Sequence, residues 1–135
     1  MKTLFITSFH ALISRNILQT GILEQLRGKK FIGNNVPEVR LAGNKRVYEK
    51  FFQAVDNGLI ASAQSIHRGG LGVALAKTAM GGRLGVEVSL GELKDIGMRD
   101  DYALYSESQG RLVVTVNPKY ASEFEKIMRG NRIAR

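Results

Sequence analysis

Two short stretches of the sequence combine glycines and polar side chains in ways that could bind an anion. In the first, "SIHRGGLGVAL", an apolar run leads through His67, Arg68, Gly69 and Gly70 into a helix-like run. Glycines at a helix start let a ligand approach the backbone, whose free N–H groups and helix dipole favour negative charge. Arg68 adds a forked donor suited to phosphate. The stretch predicts a phosphate site; alternatively, the two glycines only allow close helix–sheet packing. We interpret His67 as a loop residue rather than a catalytic base.

The second stretch is "LYSESQGRLVV", in which six polar or small residues separate two apolar runs. Glu107 could coordinate Mg²⁺ or hold a ribose hydroxyl. Gln109 can both donate and accept hydrogen bonds. The alternative is a solvated turn in which Glu107 pairs with Arg111 for about 0–1 kcal/mol.

These two stretches supply all of the predicted site residues, and no catalytic residue or metal site is predicted. The candidates for binding phosphate or a nucleotide are Arg68, Gly69, Gly70, Glu107, Ser108, Gln109 and Arg111. No Ser–His–acid triad, P-loop or paired-carboxylate spacing appears in the chain. The absence of cysteine excludes disulfides and thiolate metal sites and is compatible with the cytoplasm. Two histidines are too few for a histidine-based metal site.

The charge of the chain is distributed unevenly. The formal net charge is +8, and residues 1–35 hold five basic side chains against one acidic, while residues 36–135 hold 15 against 11. Such a balance can attract nucleic acid or phosphorylated ligands, or it can simply give a basic surface. No zinc-finger, helix-turn-helix or RNA-recognition signature is present, so nucleic acid is not expected as a partner. No apolar run approaches the roughly 20 residues that span a bilayer, so a membrane is not expected either.

The elements that must position the two stretches follow from hydrophobic periodicity and from Gly, Asn and Pro signals. Predicted strands cover residues 3–9, 59–66, 83–90, about 102–106 and about 111–117, the last two forming a hairpin. Predicted helices cover residues 12–27, a segment from the cap Asn44 to Asn57-Gly58, a segment from Gly69-Gly70 to Gly81-Gly82, and a segment beginning at Asn117-Pro118. The last three of these helices each have a predicted apolar face. In chain order the faces consist of Val47, Phe51 and Val55; of Leu71, Ala74, Leu75 and Ala79; and of Tyr120, Phe124, Ile127 and Met128.

This order of elements predicts an α+β fold with a mixed, partly antiparallel sheet, to which residues 36–135 contribute about four strands, and helices packed on one face. The break at "GKKFIGNNVPEV" predicts a boundary near residue 35. Residues 1–35 would then be a basic strand–helix segment, and residues 36–135 the main domain. The N-terminal strand should extend the sheet or cap its edge, because an unpaired edge invites aggregation.

The main domain also resembles a known family. "NKRVYEKFFQAVDNGLIASAQSIHRGGLGVALAKTAMGGRLGVEVSL" followed by "ALYSESQGRLVVTVNPKYASEFEKIM" closely resembles the final domain of phosphoribosylformylglycinamidine synthase. That enzyme is the ATP-dependent amidoligase of purine biosynthesis, within the aminoimidazole ribonucleotide synthetase superfamily. The resemblance runs from about Val36 to Arg132. It implies the fold of the superfamily's C-terminal domain, with loops that close over a nucleotide-binding half.

The resemblance also implies ligands and partners. The full-length family uses ATP and Mg²⁺ and works with the remaining synthetase domains and a glutaminase subunit. The family commonly reads Ser-Ala-His-Asp-Val-Ser-(Asp/Glu)-Gly-Gly where this chain has residues 62–70. Gln64, Ser65 and Arg68 replace the His, the Asp and the acidic residue, so an acidic, metal-linked role is not expected at these positions.

The family's nucleotide- and magnesium-binding domains and its catalytic histidine lie upstream of this type of domain, and residues 1–35 do not resemble the family. We therefore expect a truncated synthetase domain fused to an unrelated segment, without activity or cofactor when isolated. The alternative function is a stand-alone interaction or anion-binding module, and homo-oligomers are possible in either case.

Overall fold

A computed structural model describes residues 3–8, 39, 41–91 and 99–134. The predicted helix over residues 12–27 and the predicted boundary near residue 35 lie outside these residues. The described residues divide into two compact units. The sheet unit comprises residues 3–8, 39, 41–65 and 110–134, and the helical unit comprises residues 66–91 and 99–109.

The sheet unit is built on four strands, β1 (Thr3–Ser8), β2 (Ile60–Ser65), β3 (Leu112–Val116) and β4 (Arg132–Ala134). Their order is β2-β3-β1-β4, and the three pairings are all antiparallel, where a mixed sheet was predicted. The predicted α+β class is confirmed. The N-terminal strand extends the sheet, as predicted, and it lies between β3 and β4 rather than at an edge.

Two helices of the sheet unit, α1 (Leu41–Asp56) and α4 (Ala121–Met128), supply its core. Alternate residues of a strand face the same way, so one face of β3 presents three apolar side chains to these helices. The core consists of Val47, Ala54, Leu59, Leu112, Val114, Val116, Phe124 and Met128, all buried. The prediction that helices pack on one face of the sheet is confirmed.

The start of α4 follows its predicted signal. The Asn117 side-chain oxygen accepts a hydrogen bond from the Lys119 N–H at 3.1 Å. A short 3₁₀ turn, Pro118–Tyr120, then leads into the helix. Asn as a cap and Pro at the first position suit a helix start, because Pro lacks only an N–H that would be unpaired there.

The start of α1 differs from the prediction. The helix begins at Leu41, so Asn44 lies within its first turn and is not its cap. Leu and Ala are strong helix formers, and they extend the helix before the expected cap. Val55, predicted to be buried, is 44% exposed, and Ala54 is buried in its place.

The helical unit contains α2 (Gly70–Gly82) and α3 (Asp100–Tyr105). Helix α2 has the predicted bounds, and its Leu71, Ala74 and Leu75 are buried as predicted. The predicted strand at 102–106 is wrong, because helix α3 covers most of these residues. The hairpin that this strand was to form with residues 111–117 is therefore absent. Asp100 and Asp101 occupy the first turn of α3, where negative charge favours a helix.

The predicted strand at residues 83–90 is also wrong. These residues adopt neither helix nor strand in the structure, and Leu84 and Val86 are 67% and 47% exposed. An alternating pattern stabilises a strand only when a neighbouring strand and a buried face are present. Gly85 further weakens strand formation. Across the described ranges, no helix is both long and apolar enough to cross a bilayer.

Candidate anion-binding site

The start of α2 lies against the backbone that follows α3 in the helical unit. Gly69 and Gly70 have positive φ angles of 88° and 66°, which glycine adopts without strain. A Cβ atom added to Gly70 would lie 2.6 Å from the Leu104 carbonyl oxygen and 2.8 Å from that of Ser106. The glycines therefore do serve close packing, but against the end of α3 and the following turn rather than against the sheet.

The backbone N–H groups before α2 already have partners. The Gly69 N–H donates to the Glu107 Oε1 atom at 2.8 Å. The Gly70 N–H donates to the His67 carbonyl oxygen at 2.8 Å, and the Arg68 N–H donates to His67 Nδ1 at 2.8 Å. A carboxylate at a helix N-terminus is favoured by the helix dipole. Glu107 thus places an internal negative charge where the sequence predicted an external phosphate.

The turn that carries Glu107 is not the solvated turn considered as an alternative. Ser106 and Ser108 are buried, with exposed fractions of 0% and 3%. Glu107 is half-buried, and Gln109 is exposed. The turn therefore presents Glu107 and Gln109 outward while its two serines pack inside.

Gly110, the next residue, belongs to the sheet unit and has a φ angle of 79°. A Cβ atom here would overlap the side chain of Asn44. The close approach of Asn44, together with the positive φ angle, explains why glycine occupies position 110.

The two arginines of the candidate site have different surroundings. Arg68 is exposed in the helical unit. Arg111 belongs to the sheet unit and is only 4% exposed. Burial lowers the pKa of the Arg111 guanidinium to about 10. Because this pKa is still far above neutrality, Arg111 carries a positive charge at neutral pH.

The two sequence stretches meet within the helical unit, where the Gly69 N–H donates to Glu107 Oε1. In the sheet unit, Ser65, the last residue of β2, pairs with Leu112, the first residue of β3. This convergence was predicted, although the hairpin from which it was argued does not form.

The described residues offer no evident site for a metal ion. They contain no group of three or more His, Cys, Asp or Glu side chains that could hold one. Glu107, for which Mg²⁺ coordination was one of two possible roles, has one carboxylate oxygen on the Gly69 N–H. The resemblance assigns the Mg²⁺ of the full-length family to upstream domains, and no metal site was predicted in this chain.

Sequence reasoning missed three atoms of this site: the carbonyl oxygens of Leu104 and Ser106, and His67 Nδ1. The two carbonyl contacts depend on backbone positions rather than on side-chain type, whereas the contact of His67 Nδ1 depends on the histidine side chain. The available signal was the Gly69-Gly70 pair itself, which indicates that something approaches the backbone closely.

Comparison with known families agrees with this architecture. Residues 11–135 match the family model "AIR synthase related protein, C-terminal domain". The chain belongs to this family. The match takes in residues 11–35, which the sequence analysis set apart, and so weighs against a separate origin for them. The boundary at residue 35 stays a prediction.

Curated relatives specify the family further. The chain is 40% identical over 95 residues to the phosphoribosylformylglycinamidine synthase subunit PurL of Methanococcus aeolicus, covering 70% of this chain and 13% of the relative. It is 43% identical over 81 residues to PurL of Methanocaldococcus jannaschii, covering 60% of this chain and 11% of the relative. The chain thus corresponds to a small C-terminal-like part of these longer proteins.

Solved structures show the same fold. Thermotoga maritima PurL complexed with FGAR superposes with a TM-score of 0.76 at 26% identity, covering 98% of this chain and 22% of that one. The hydrogenase maturation protein HypE in complex with ATP superposes with a TM-score of 0.60 at 18% identity, covering 99% of this chain and 41% of that one. The likeness to HypE concerns the fold alone.

Proposed function

We propose that this chain provides the C-terminal-type domain of a phosphoribosylformylglycinamidine synthase, the carbon–nitrogen ligase that amidates FGAR in purine biosynthesis. The 40% identity to Methanococcus aeolicus PurL supports this assignment. Solved Thermotoga maritima PurL structures include complexes with FGAR and with ATP. By this proposal the chain acts in the cytoplasm beside the ATP-binding domains and a glutaminase subunit. The solved PurLQS structure is consistent with an assembly of this kind.

In this role the start of α2 and residues 106–109 of the helical unit face a phosphate or nucleotide. Arg68 offers its exposed guanidinium, and the Gly69 N–H becomes available once Glu107 moves away. Ser108 and Gln109 belong to the same unit, whereas Arg111, the remaining candidate, belongs to the sheet unit.

The observation that carries the proposal is the 40% identity over 95 residues to Methanococcus aeolicus PurL. The hydrogen bond from the Gly69 N–H to Glu107 adds an expectation about the isolated chain. Because this carboxylate already occupies the helix start, a phosphate must displace it and overcome its charge. The isolated chain is therefore expected to bind anions weakly and to lack catalysis. An adjoining domain that draws Glu107 away would make the helix start available to ligand.

The test is ADP formation by the purified chain with ATP, Mg²⁺, ammonia and FGAR. We expect ADP release no faster than in a control without protein. Robust FGAR-dependent ADP formation that survives repurification would overturn the proposed inactivity. A matched Arg68→Ala preparation would show whether such activity uses the candidate site or comes from a contaminant, because only the former changes with the substitution.

A stand-alone anion-binding module is the second candidate, favoured by the net charge of +8. That function needs affinity in the isolated chain, whereas the synthetase domain needs its neighbours. An adjacent gene encoding the remaining synthetase domains would favour a split subunit, whereas a lone truncated frame would favour a remnant of the synthetase.

A further inference from the structure

Helix α1 carries a row of large apolar side chains that the sheet unit leaves exposed. The exposed fractions are 78% for Leu41, 40% for Tyr48, 61% for Phe52 and 44% for Val55. Single exposed apolar residues are common on protein surfaces, but several on one helix face mark an interaction surface. Tyr48, Phe52 and Val55 follow one another within two turns, and Asn44 and Lys45 separate them from Leu41. We call these four residues the α1 stripe.

The spacing of the α1 stripe places its members on one face of the helix. Successive members are seven, four and three residues apart, which are the spacings of one helix side. At 1.5 Å per residue the stripe runs for about 21 Å along the helix. It borders the core, because the Phe52 ring contacts the half-buried Phe51 ring edge-on, with centroids 5.9 Å apart.

The polar residues beside the stripe carry opposite charges. Lys45 and Glu49 lie along one flank, with Lys45 Nζ 3.7 Å from Glu49 Oε1 and side chains 74% and 61% exposed. An exposed pair of this kind contributes little within one helix. It does, however, provide one positive and one negative group on the same flank.

Three of the four stripe residues meet an apolar partner when the stripe is paired with itself in the antiparallel direction. A two-fold axis at Tyr48 brings Leu41 of one copy opposite Val55 of the other, and the two Tyr48 rings opposite each other. Phe52 then lies opposite Asn44 of the second copy. The same operation places Lys45 within two positions of Glu49 of the second copy, twice by symmetry. A symmetric dimer requires such a surface, because the same patch must fit a copy of itself.

We propose that two copies of this chain associate through an antiparallel pair of α1 helices, with the α1 stripe buried at the interface. The apolar side chains supply most of the affinity, and the Lys45–Glu49 pairs fix the antiparallel direction. A single helix pair buries less than the ~1,200 Å² of standard interfaces. The dimer is therefore concentration-dependent and forms in the micromolar range or above.

Sedimentation velocity of the full chain across a wide concentration range tests this proposal. The wild-type mass is expected to rise from 14.9 kDa toward twice that value. Phe52→Glu places a charge in the stripe and should keep the chain monomeric. Gln53→Glu is the matched control, because Gln53 is exposed on the same helix but points away from the stripe. It should dimerise like the wild type.

A charge exchange tests the antiparallel direction. Lys45→Glu should weaken the dimer, and the double change Lys45→Glu with Glu49→Lys should restore it. Leu41→Glu is a second disruptive variant at a more exposed position, and circular dichroism confirms the fold of each variant. A wild-type chain that stays monomeric up to millimolar concentration overturns the proposal. The α1 stripe would then be a contact surface for other synthetase domains. A dimer that survives both Phe52→Glu and Leu41→Glu overturns it as well.

Discussion

Replacing Gly70 with alanine should destabilise the protein strongly, through two separable effects. Gly70 has a φ angle of 66°, which costs an L-residue about 1–2 kcal/mol. Its added Cβ would also lie 2.6 Å from the Leu104 carbonyl oxygen and 2.7 Å from the Tyr105 carbonyl carbon. These are backbone atoms that cannot rotate away, so overpacking adds about 1–3 kcal/mol. The expected total loss is about 2–5 kcal/mol.

Three other glycines separate the two effects. Gly58 has a φ angle of 68° with nothing within 4 Å of its Cβ position, so Gly58→Ala measures backbone strain alone. At Gly72 an added Cβ would lie 3.2 Å from the Tyr105 ring, so the difference between Gly72→Ala and Gly81→Ala in the same helix measures side-chain crowding. Gly81 has open space and no positive φ, so Gly81→Ala should stabilise the helix by up to about 1 kcal/mol.

Urea unfolding followed by far-UV circular dichroism gives the free energy of unfolding for each variant. We expect Gly70→Ala to be the least stable, followed by Gly58→Ala, with Gly81→Ala at or above the wild type. If Gly70→Ala loses no more stability than Gly58→Ala, then the close contact between α2 and the backbone after α3 does not exist in solution. Gly70→Val should be worse still, because a β-branched side chain crowds the junction further.

Three further predictions concern the sheet unit and the exposed arginine. Deleting residues 1–8 should abolish cooperative thermal melting, because β1 is an interior strand paired with both β3 and β4; unchanged melting would show that β1 is dispensable. Phe124→Ala should cost about 3–5 kcal/mol in urea unfolding, because Phe124 is fully buried, and a loss below about 1 kcal/mol would contradict the described core. Arg68→Ala should change stability by less than about 0.5 kcal/mol because Arg68 is exposed, and a larger loss would reveal packing that the structure does not show.

Short sequence signals correctly predicted where two of the helices begin. Asn117-Pro118 marked the start of the last helix, and Gly69-Gly70 marked the start of α2. Both signals act through residues next to the helix start, so these two helix starts could be predicted without knowing the tertiary contacts. The glycine pair also indicated a close backbone approach, although the sequence could not say which backbone would approach.

Some failures depend on partners distant in the sequence, and others on local signals that compete with each other. Residues 83–90 alternate like a strand, but among the described residues no strand pairs with them. The short apolar run at 102–106 fits either a strand or a helix. Asp100 and Asp101 favour the helix, because they place negative charge in its first turn. Gly69 and Glu107 are 38 residues apart, so nothing in their local spacing predicts the hydrogen bond between them.

The central claim is that the start of α2 can receive an anion and that Glu107 competes for this position. Titration of ¹⁵N-labelled protein with inorganic phosphate, followed by amide chemical shifts, tests it most directly. We expect weak shifts at Gly69 and Gly70 in the wild type. Affinity should rise in Glu107→Gln, which removes the charge but keeps an acceptor for the Gly69 N–H, and fall in Arg68→Ala. Shifts confined to residues 1–35 in all three proteins, with none at residues 67–71, would contradict the claim and leave only diffuse charge attraction.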